Sequence, residues 1–133
     1  MIKLFIGGKG SGKTKTLIEM VNNAVAASKG NVICIEKGDK LIHDITYKAR
    51  LIDTDAYSVA DAEALYGFIA GILASNSDIT DIFVDSALKI VGNDTAAFEA
   101  LLKKLEKITA DVNLVMTASI AVEECPDAIK AYA

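Results

Sequence analysis

The sequence predicts an α/β protein in which a mostly parallel sheet of about five strands is covered by helices on both faces. Short, continuous apolar runs alternate along the chain with longer segments of helical periodicity, which is the pattern of strands joined by crossover helices. The chain has 133 residues, and 52% of them are apolar, which is enough to bury one core. It contains only 1 proline, which argues against long irregular loops. We therefore expect residues 1–133 to form a single domain.

The first third of the chain predicts two buried strands with a helix between them. Ile2–Ile6 and Val32–Ile35 are short apolar runs, as expected of strands that are covered on both faces. Between them, apolar residues recur at helical spacing from Lys13 to Ser28, and Gly30 is well placed to end that helix.

The middle of the chain predicts a short helix over 39–47, a short edge strand at Arg50–Asp53 and a longer helix after it. Ser58 followed by Asp61 resembles a capping box that would open this longer helix. The uncharged stretch from 64 to 77 is 14 residues long, whereas a membrane span needs about 20. We therefore expect a core helix here and no membrane insertion.

The last third repeats the alternation. Asp81–Val84 and Asn113–Met116 are predicted strands, and the apolar residues from 98 to 108 have the spacing of an amphipathic helix between them. The tail from Glu123 onward is predicted to form a short helix with Pro126 in its first turn. These elements complete a sheet of five strands.

Charge is spread unevenly along the chain. The formal charge is -4, yet residues 1–40 hold seven lysines and three acidic residues, whereas the remainder holds seven basic and fifteen acidic residues. An acidic domain is a poor candidate for sequence-independent binding of nucleic acid, because that binding depends on neutralising phosphates. Nucleic acid is therefore not an expected partner.

The two cysteines bear on the compartment. Cys34 and Cys125 are too few for a disulfide framework or a zinc site with four cysteine ligands, and Cys34 lies in an apolar run that predicts burial. The sequence opens directly with the first predicted strand and the glycine-rich loop, so we expect no signal peptide. The sequence therefore predicts a cytoplasmic protein.

The most informative segment is the glycine-rich loop between the first strand and the first helix. Its residues match the pattern G-x-x-x-x-G-K-S/T and are Gly7, Gly8, Lys9, Gly10, Ser11, Gly12, Lys13 and Thr14. Glycines allow successive backbone N–H groups to point inward around a phosphate, and the helix adds unpaired N–H groups at its positive end. We expect Lys13 to contact the β- and γ-phosphates and Thr14 to be a ligand of Mg²⁺.

Asp85 is the expected acidic partner of this loop. It closes the apolar run 82–84 and so lies at the carboxyl end of a strand, which is the edge where ligands bind in open α/β sheets. Its expected role is to hold a water on Mg²⁺. The alternative is an aspartate that only begins a loop or a helix.

On these residues the chain resembles the P-loop NTPases, and its layout is similar to their RecA/KaiC-like division. The similar segments are GGKGSGKT at 7–14, VICIE at 32–36, IFVDS at 82–86 and NLVMTAS at 113–119. The resemblance implies the three-layer α/β/α P-loop fold, with ATP and Mg²⁺ as ligands. It also implies that Glu36 activates the attacking water and that Thr117 or Ser119 senses the γ-phosphate. Judged by chemistry alone, Glu36 can equally belong to a surface ion pair, and Thr117 can cap a helix or turn.

The sequence favours a protein that binds ATP and hydrolyses it slowly, with Lys13, Glu36 and Thr117 as catalytic residues. ATP is preferred to GTP because the Asn-Lys-x-Asp element that reads guanine is missing. Tyr47, Tyr57 or Tyr132 could stack on the base.

Two alternatives remain open at this stage. One is a nucleotide-dependent binding or assembly module without significant turnover, acting as a homo-oligomer or with a protein partner. In the larger RecA-like motors that the chain resembles, an arginine from a neighbouring subunit reaches the γ-phosphate. The lone arginine of this chain, Arg50, is expected to be structural because it lies in a predicted edge strand, and this favours the module without turnover. The other is a small-molecule kinase, which would need several arginines or lysines around two anions.

Overall fold

A computed structural model describes all residues, 1–133, and contains one five-stranded sheet. The strands are β1 (Ile2–Gly7), β2 (Asn31–Glu36), β3 (Arg50–Asp53), β4 (Ile79–Val84) and β5 (Asn113–Ser119). Their order across the sheet is β1-β5-β4-β2-β3, and every neighbouring pair runs parallel. The five helices are α1 (Lys13–Ala27), α2 (Ala62–Ser75), α3 (Ala87–Ile90), α4 (Thr95–Glu106) and α5 (Asp127–Lys130). The predicted α/β class and all five predicted strands are confirmed.

Helices cover both faces of the sheet, because alternate strand residues point to opposite sides. On one face, Ile33 and Ile35 belong to a core that includes the buried residues of α2 and α4. On the other face, Val32 and Cys34 pack in a smaller core with Leu17 and other residues of α1. The result is the expected three-layer α/β/α arrangement.

Burial raises the pKa of the Cys34 thiol to about 12, with smaller contributions from the neighbouring carboxylates.

The stretch 39–47 does not form the predicted short helix. It folds as a series of turns, although Leu41 and Ile45 are buried beneath it as their apolar character requires. Some of its backbone N–H and C=O groups form hydrogen bonds with side chains instead of the regular bonds of a helix. The amide of Asn22 donates to the Asp44 carbonyl at 3.0 Å, and its oxygen accepts from the Thr46 N–H at 2.9 Å. Such bonds compete directly with helix formation.

The start of α2 was predicted three residues too early. Ser58 ends a single 3-10 turn over Thr54–Tyr57, in a left-handed conformation with φ 58°. The N-cap of α2 is Asp61, whose side chain accepts from the Ala64 N–H at 2.8 Å. The uncharged stretch nevertheless lies mostly in α2, with Leu65 and Ile69 buried, so the predicted core helix is confirmed. No helix combines the length and the apolar character needed to span a membrane.

Two helix ends also differ from the predictions. Helix α1 ends at Ala27, before Gly30, and Gly30 instead lies where the chain passes the backbone of Asp78. A Cβ at Gly30 would stand 2.2 Å from the Asp78 carbonyl oxygen, so only glycine fits there. In the tail, Pro126 immediately precedes the single turn of α5.

Candidate functional site

The glycine-rich loop joins β1 to α1 at the edge of the sheet where all five parallel strands end. Gly10 and Gly12 have φ of 85°, in the left-handed region that glycine adopts without strain. Gly12 is the N-cap of α1 and supplies no side-chain cap. The amides of the first turn of α1 are therefore left for another partner.

Lys13 folds back over this loop. Its ammonium Nζ donates to the carbonyl of Gly8 at 3.0 Å and to Oγ of Ser11 at 3.2 Å. The loop is compact, since a Cβ at Gly7 would lie 2.7 Å from the same Ser11 hydroxyl. No carboxylate forms an ion pair with Lys13. The loop thus presents a positive charge together with its free amides.

Three hydroxyl groups converge on the carboxylate of Asp85. Thr14 Oγ1 donates to Oδ1 at 3.1 Å, and Thr117 Oγ1 donates to the same oxygen at 2.8 Å. Ser86 Oγ donates to Oδ2 at 3.4 Å. These bonds link the first residues of α1 to the ends of β4 and β5, so residues distant in sequence meet at this edge as the sequence predicts.

The backbone at Ser86 is held in an unfavourable conformation. Its φ of 56° is left-handed although it carries a side chain. In this position the Ser86 N–H donates to Thr117 Oγ1 at 2.7 Å. Thr117, which is buried, therefore accepts one bond from Ser86 and donates another to Asp85, which fixes the position of that carboxylate.

Glu36 is the second buried acid of this edge. It is 3% exposed, and its Oε2 accepts from the N–H of Leu41 at 3.2 Å. Burial raises the pKa of this carboxyl, and the nearby Asp85 and Asp53 raise it further, while hydrogen bonds from the Leu41 and Lys40 amides lower it. Glu36 makes no ion pair, so the surface ion-pair alternative does not describe it.

A cavity of about 620 Å³ opens above the loop. Five of its eleven lining residues are lysines, none is acidic and none is hydrophobic. The lining residues are Lys9, Gly10, Gly12, Lys13, Thr14, Lys15, Lys40, Ser86, Lys89, Asn93 and Ser119. The cavity is thus strongly cationic in a chain whose net charge is -4.

The cavity wall contains some of the predicted site residues and not others. Of the predicted γ-phosphate contacts, Ser119 lines it and Thr117 does not; Glu36 and Asp85 lie outside the lining set. Among the loop residues, Gly7, Gly8 and Ser11 shape the loop without lining the cavity.

Five lining residues are outside the predicted set, and two of them, Lys15 and Ser86, directly follow the predicted residues Thr14 and Asp85. Lys40, Lys89 and Asn93 come from turns and from α3, and no local pattern marks them. Their only signal is position, since each follows a strand that ends at this edge.

The tyrosines proposed for stacking lie elsewhere. None of Tyr47, Tyr57 and Tyr132 lines the cavity. Arg50 begins the edge strand β3, at the end of the sheet opposite the glycine-rich loop.

No group of three or more His, Cys, Asp or Glu side chains lies close enough together to hold a metal ion. Comparison with protein-family models and with curated proteins returned no match for this chain.

Proposed function

We propose that the chain is a P-loop nucleotide-binding protein that binds ATP with Mg²⁺ and hydrolyses it slowly. The observation that carries the proposal is the juxtaposition of an unpaired Lys13 and uncapped first-turn amides with the Thr14–Asp85 pair. Positive charge and free N–H groups on one side, and oxygen ligands on the other, are the requirements of a bound metal polyphosphate.

The loop supplies the phosphate contacts in this proposal. The amides of the first turn of α1 donate to phosphate oxygens, and Lys13 exchanges its bonds to Gly8 and Ser11 for bonds to the outer phosphates. The loop bonds of Lys13 keep its ammonium close to where it is needed. Little reorganisation is then required when nucleotide binds.

Thr14 and Asp85 fit the needs of a magnesium ion. Mg²⁺ prefers hard oxygen ligands and is commonly held by one or two protein groups together with water and phosphate oxygens. A hydroxyl and a carboxylate 3.1 Å apart provide such oxygens. When bound, the ion neutralises charge on the phosphates and so eases attack on the γ-phosphorus.

Glu36 is the proposed base for the attacking water. A raised pKa makes a carboxylate a better proton acceptor near neutral pH. Thr117 acts indirectly by orienting Asp85, and Ser119, on the cavity wall, is the proposed γ-phosphate contact. Hydrolysis is expected to be slow, because no arginine of the chain would stabilise the charge that develops on the γ-phosphate. Arg50 lies at the far end of the sheet, and no other arginine is present.

A binding module without turnover is the second candidate. The observation that favours it is that Glu36 Oε2 accepts from the Leu41 N–H and that Glu36 is not among the residues that line the cavity. In either case we propose a nucleoside triphosphate as ligand and the cytoplasm as location, where the two free cysteines would remain reduced.

The binding proposal is tested by isothermal titration of ATP with Mg²⁺ into the wild type and Lys13→Ala. Loss of a charge-assisted bond of about 1.5–3 kcal/mol should weaken binding at least about tenfold. Lys29→Ala is the matched control, because Lys29 is exposed beyond the far end of α1. Equal affinities of Lys13→Ala and the wild type would refute the role given to the loop.

A turnover assay separates the two candidates. Glu36→Gln should abolish phosphate release while ATP binding persists. Release that continues at the wild-type rate would exclude Glu36 as the base. A wild type that binds ATP without any release would favour the binding module.

A further inference from the structure

The cavity above the glycine-rich loop offers charge but no surface for a nucleobase. Binding sites for organic ligands are usually lined mainly by apolar and aromatic side chains, with a few polar groups for orientation. None of the eleven residues lining this cavity is hydrophobic. A purine ring would find no plane to stack on there.

The tyrosine side chains lie outside this cavity. Tyr57 packs against Phe68 with ring centroids 5.7 Å apart. The ring of Tyr66 lies 4.1 Å below the ammonium of Lys104, and Tyr132 is partly buried against the main core. Tyr47 is 91% exposed and faces a separate shallow groove. None of these rings lines the cavity.

The cationic groups extend beyond what the loop itself provides. Lys9, Lys13 and Lys15 belong to the loop and the start of α1, whereas Lys40 follows β2 and Lys89 lies in α3. All five lack an ion-pair partner, because the ion pairs of the chain are Lys37–Asp55 and Lys103–Glu99. Unpaired lysines from three segments around one cavity fit an extended anion rather than a single phosphate.

From this geometry we infer that the site recognises the polyphosphate chain and not the base. Inorganic tripolyphosphate with Mg²⁺ is then a ligand in its own right, and nucleoside triphosphates bind with little regard to their base. This inference rests on the proposed function, since it assumes that the loop binds phosphates. Lys40 and Lys89 are the residues that this inference adds to the proposed site, because they line the cavity from outside the loop.

Competition titrations test the inference. With Mg²⁺ present, ATP, GTP, CTP and UTP should bind within about threefold of one another, and tripolyphosphate within about tenfold of ATP. Adenosine should not bind. If ATP binds more than tenfold tighter than the other nucleotides, or if tripolyphosphate fails to displace it, the inference is wrong and the proposed function stands. If neither the nucleoside triphosphates nor tripolyphosphate bind, both the inference and the proposed function are wrong.

Substitutions of the outer lysines give a second readout. Lys40→Gln and Lys89→Gln should each weaken tripolyphosphate binding about two- to fivefold, as removal of one exposed charge does. Lys29→Gln makes the same change of charge outside the cavity and should have no effect. Affinities of both cavity variants equal to that of Lys29→Gln would overturn the role of these lysines.

Discussion

Asp85 acquires its proposed function from the groups that surround its carboxylate. Thr14 and Thr117 both donate to Oδ1, so this oxygen is held from two sides. An asparagine could accept the same two bonds through its own Oδ1 but carries no charge for a cation. The substitution Asp85→Asn therefore tests the role of the charge in metal binding while the two hydrogen bonds that hold the side chain can still form.

Asp85→Asn should lower ATP affinity only in the presence of Mg²⁺. We expect a loss of about tenfold or more with Mg²⁺, or about 1.4 kcal/mol, and no change when EDTA removes the metal. Titrations with and without Mg²⁺ measure both quantities. Asp111→Asn, at an exposed site just before β5, is the control for the loss of one negative charge. An equal loss of affinity without metal would contradict the role of Asp85 as a metal ligand.

Glu36 should make the stability of the protein depend on pH. Because burial and the neighbouring carboxylates raise its pKa, the folded state binds more protons than the unfolded state. The free energy of unfolding should therefore fall as the pH rises from the ordinary glutamate pKa, roughly 4.3, through the raised value. Glu36→Gln removes this titration while its side-chain oxygen can still accept from Leu41.

The measurement is urea unfolding of the wild type and Glu36→Gln at several pH values in metal-free buffer. The variant should gain stability relative to the wild type as the pH rises through this window. Glu19→Gln makes the same chemical change on the exposed side of α1 and serves as the control. A difference that stays constant with pH, or that shrinks as the pH rises, would contradict the shift.

At the scale of elements, two glycines should respond in opposite ways to the same substitution. Gly30→Ala places a Cβ against the Asp78 carbonyl and should destabilise the fold by about 1–3 kcal/mol, as overpacking does. Gly67→Ala, in α2 with open space around it, should stabilise by about 0.5–1 kcal/mol because alanine favours helix. Urea denaturation of both variants measures the two effects. A stabilised Gly30→Ala would show that the chain can move away from Asp78.

Elements determined by local pattern were predictable, and those determined by distant side chains were not. The strands and the long helices follow from apolar periodicity, which a single sequence displays directly. The turns at 39–47 depend on Asn22 and Glu36, which lie outside that segment. Ser58 has the same cap chemistry as Asp61, and only the 3-10 turn before it decides between them.

The candidate site divides in the same way. The glycine-rich loop is contiguous, so its place between a strand and a helix could be predicted from the sequence alone, whereas its phosphate chemistry stays a prediction. Asp85 could be predicted because parallel strands end at one edge. Lys40 and Lys89 reach the cavity only through the strand order, which places β2 and β4 side by side. Periodicity does not specify that order.

For the whole molecule, charge is separated between the site and the rest of the surface. The net charge is -4, yet the cavity is lined by five lysines and no acid. Mutual repulsion of these lysines opposes folding in the absence of an anion. A polyphosphate bound as proposed would reduce that repulsion and link α1 to the segments that follow β2 and β4.

Thermal unfolding should therefore report ligand binding across the whole protein. A ligand at 100 times its dissociation constant stabilises the folded state by about 2.7 kcal/mol, which for a chain of this size raises Tm by roughly 8–12 °C. ATP with Mg²⁺ should produce this rise, and Lys13→Ala should need at least about tenfold more ATP for the same rise. Sodium chloride at matched ionic strength is the control for general screening of the lysines, and a rise as large with salt alone would assign the effect to screening. Because α1, α3, β5 and the turn after β2 all contribute residues to the cavity, binding should delay the unfolding of these segments together, as a single transition shifted upward. A transition that splits in two on adding ATP would show instead that the loop binds without coupling to the sheet edge.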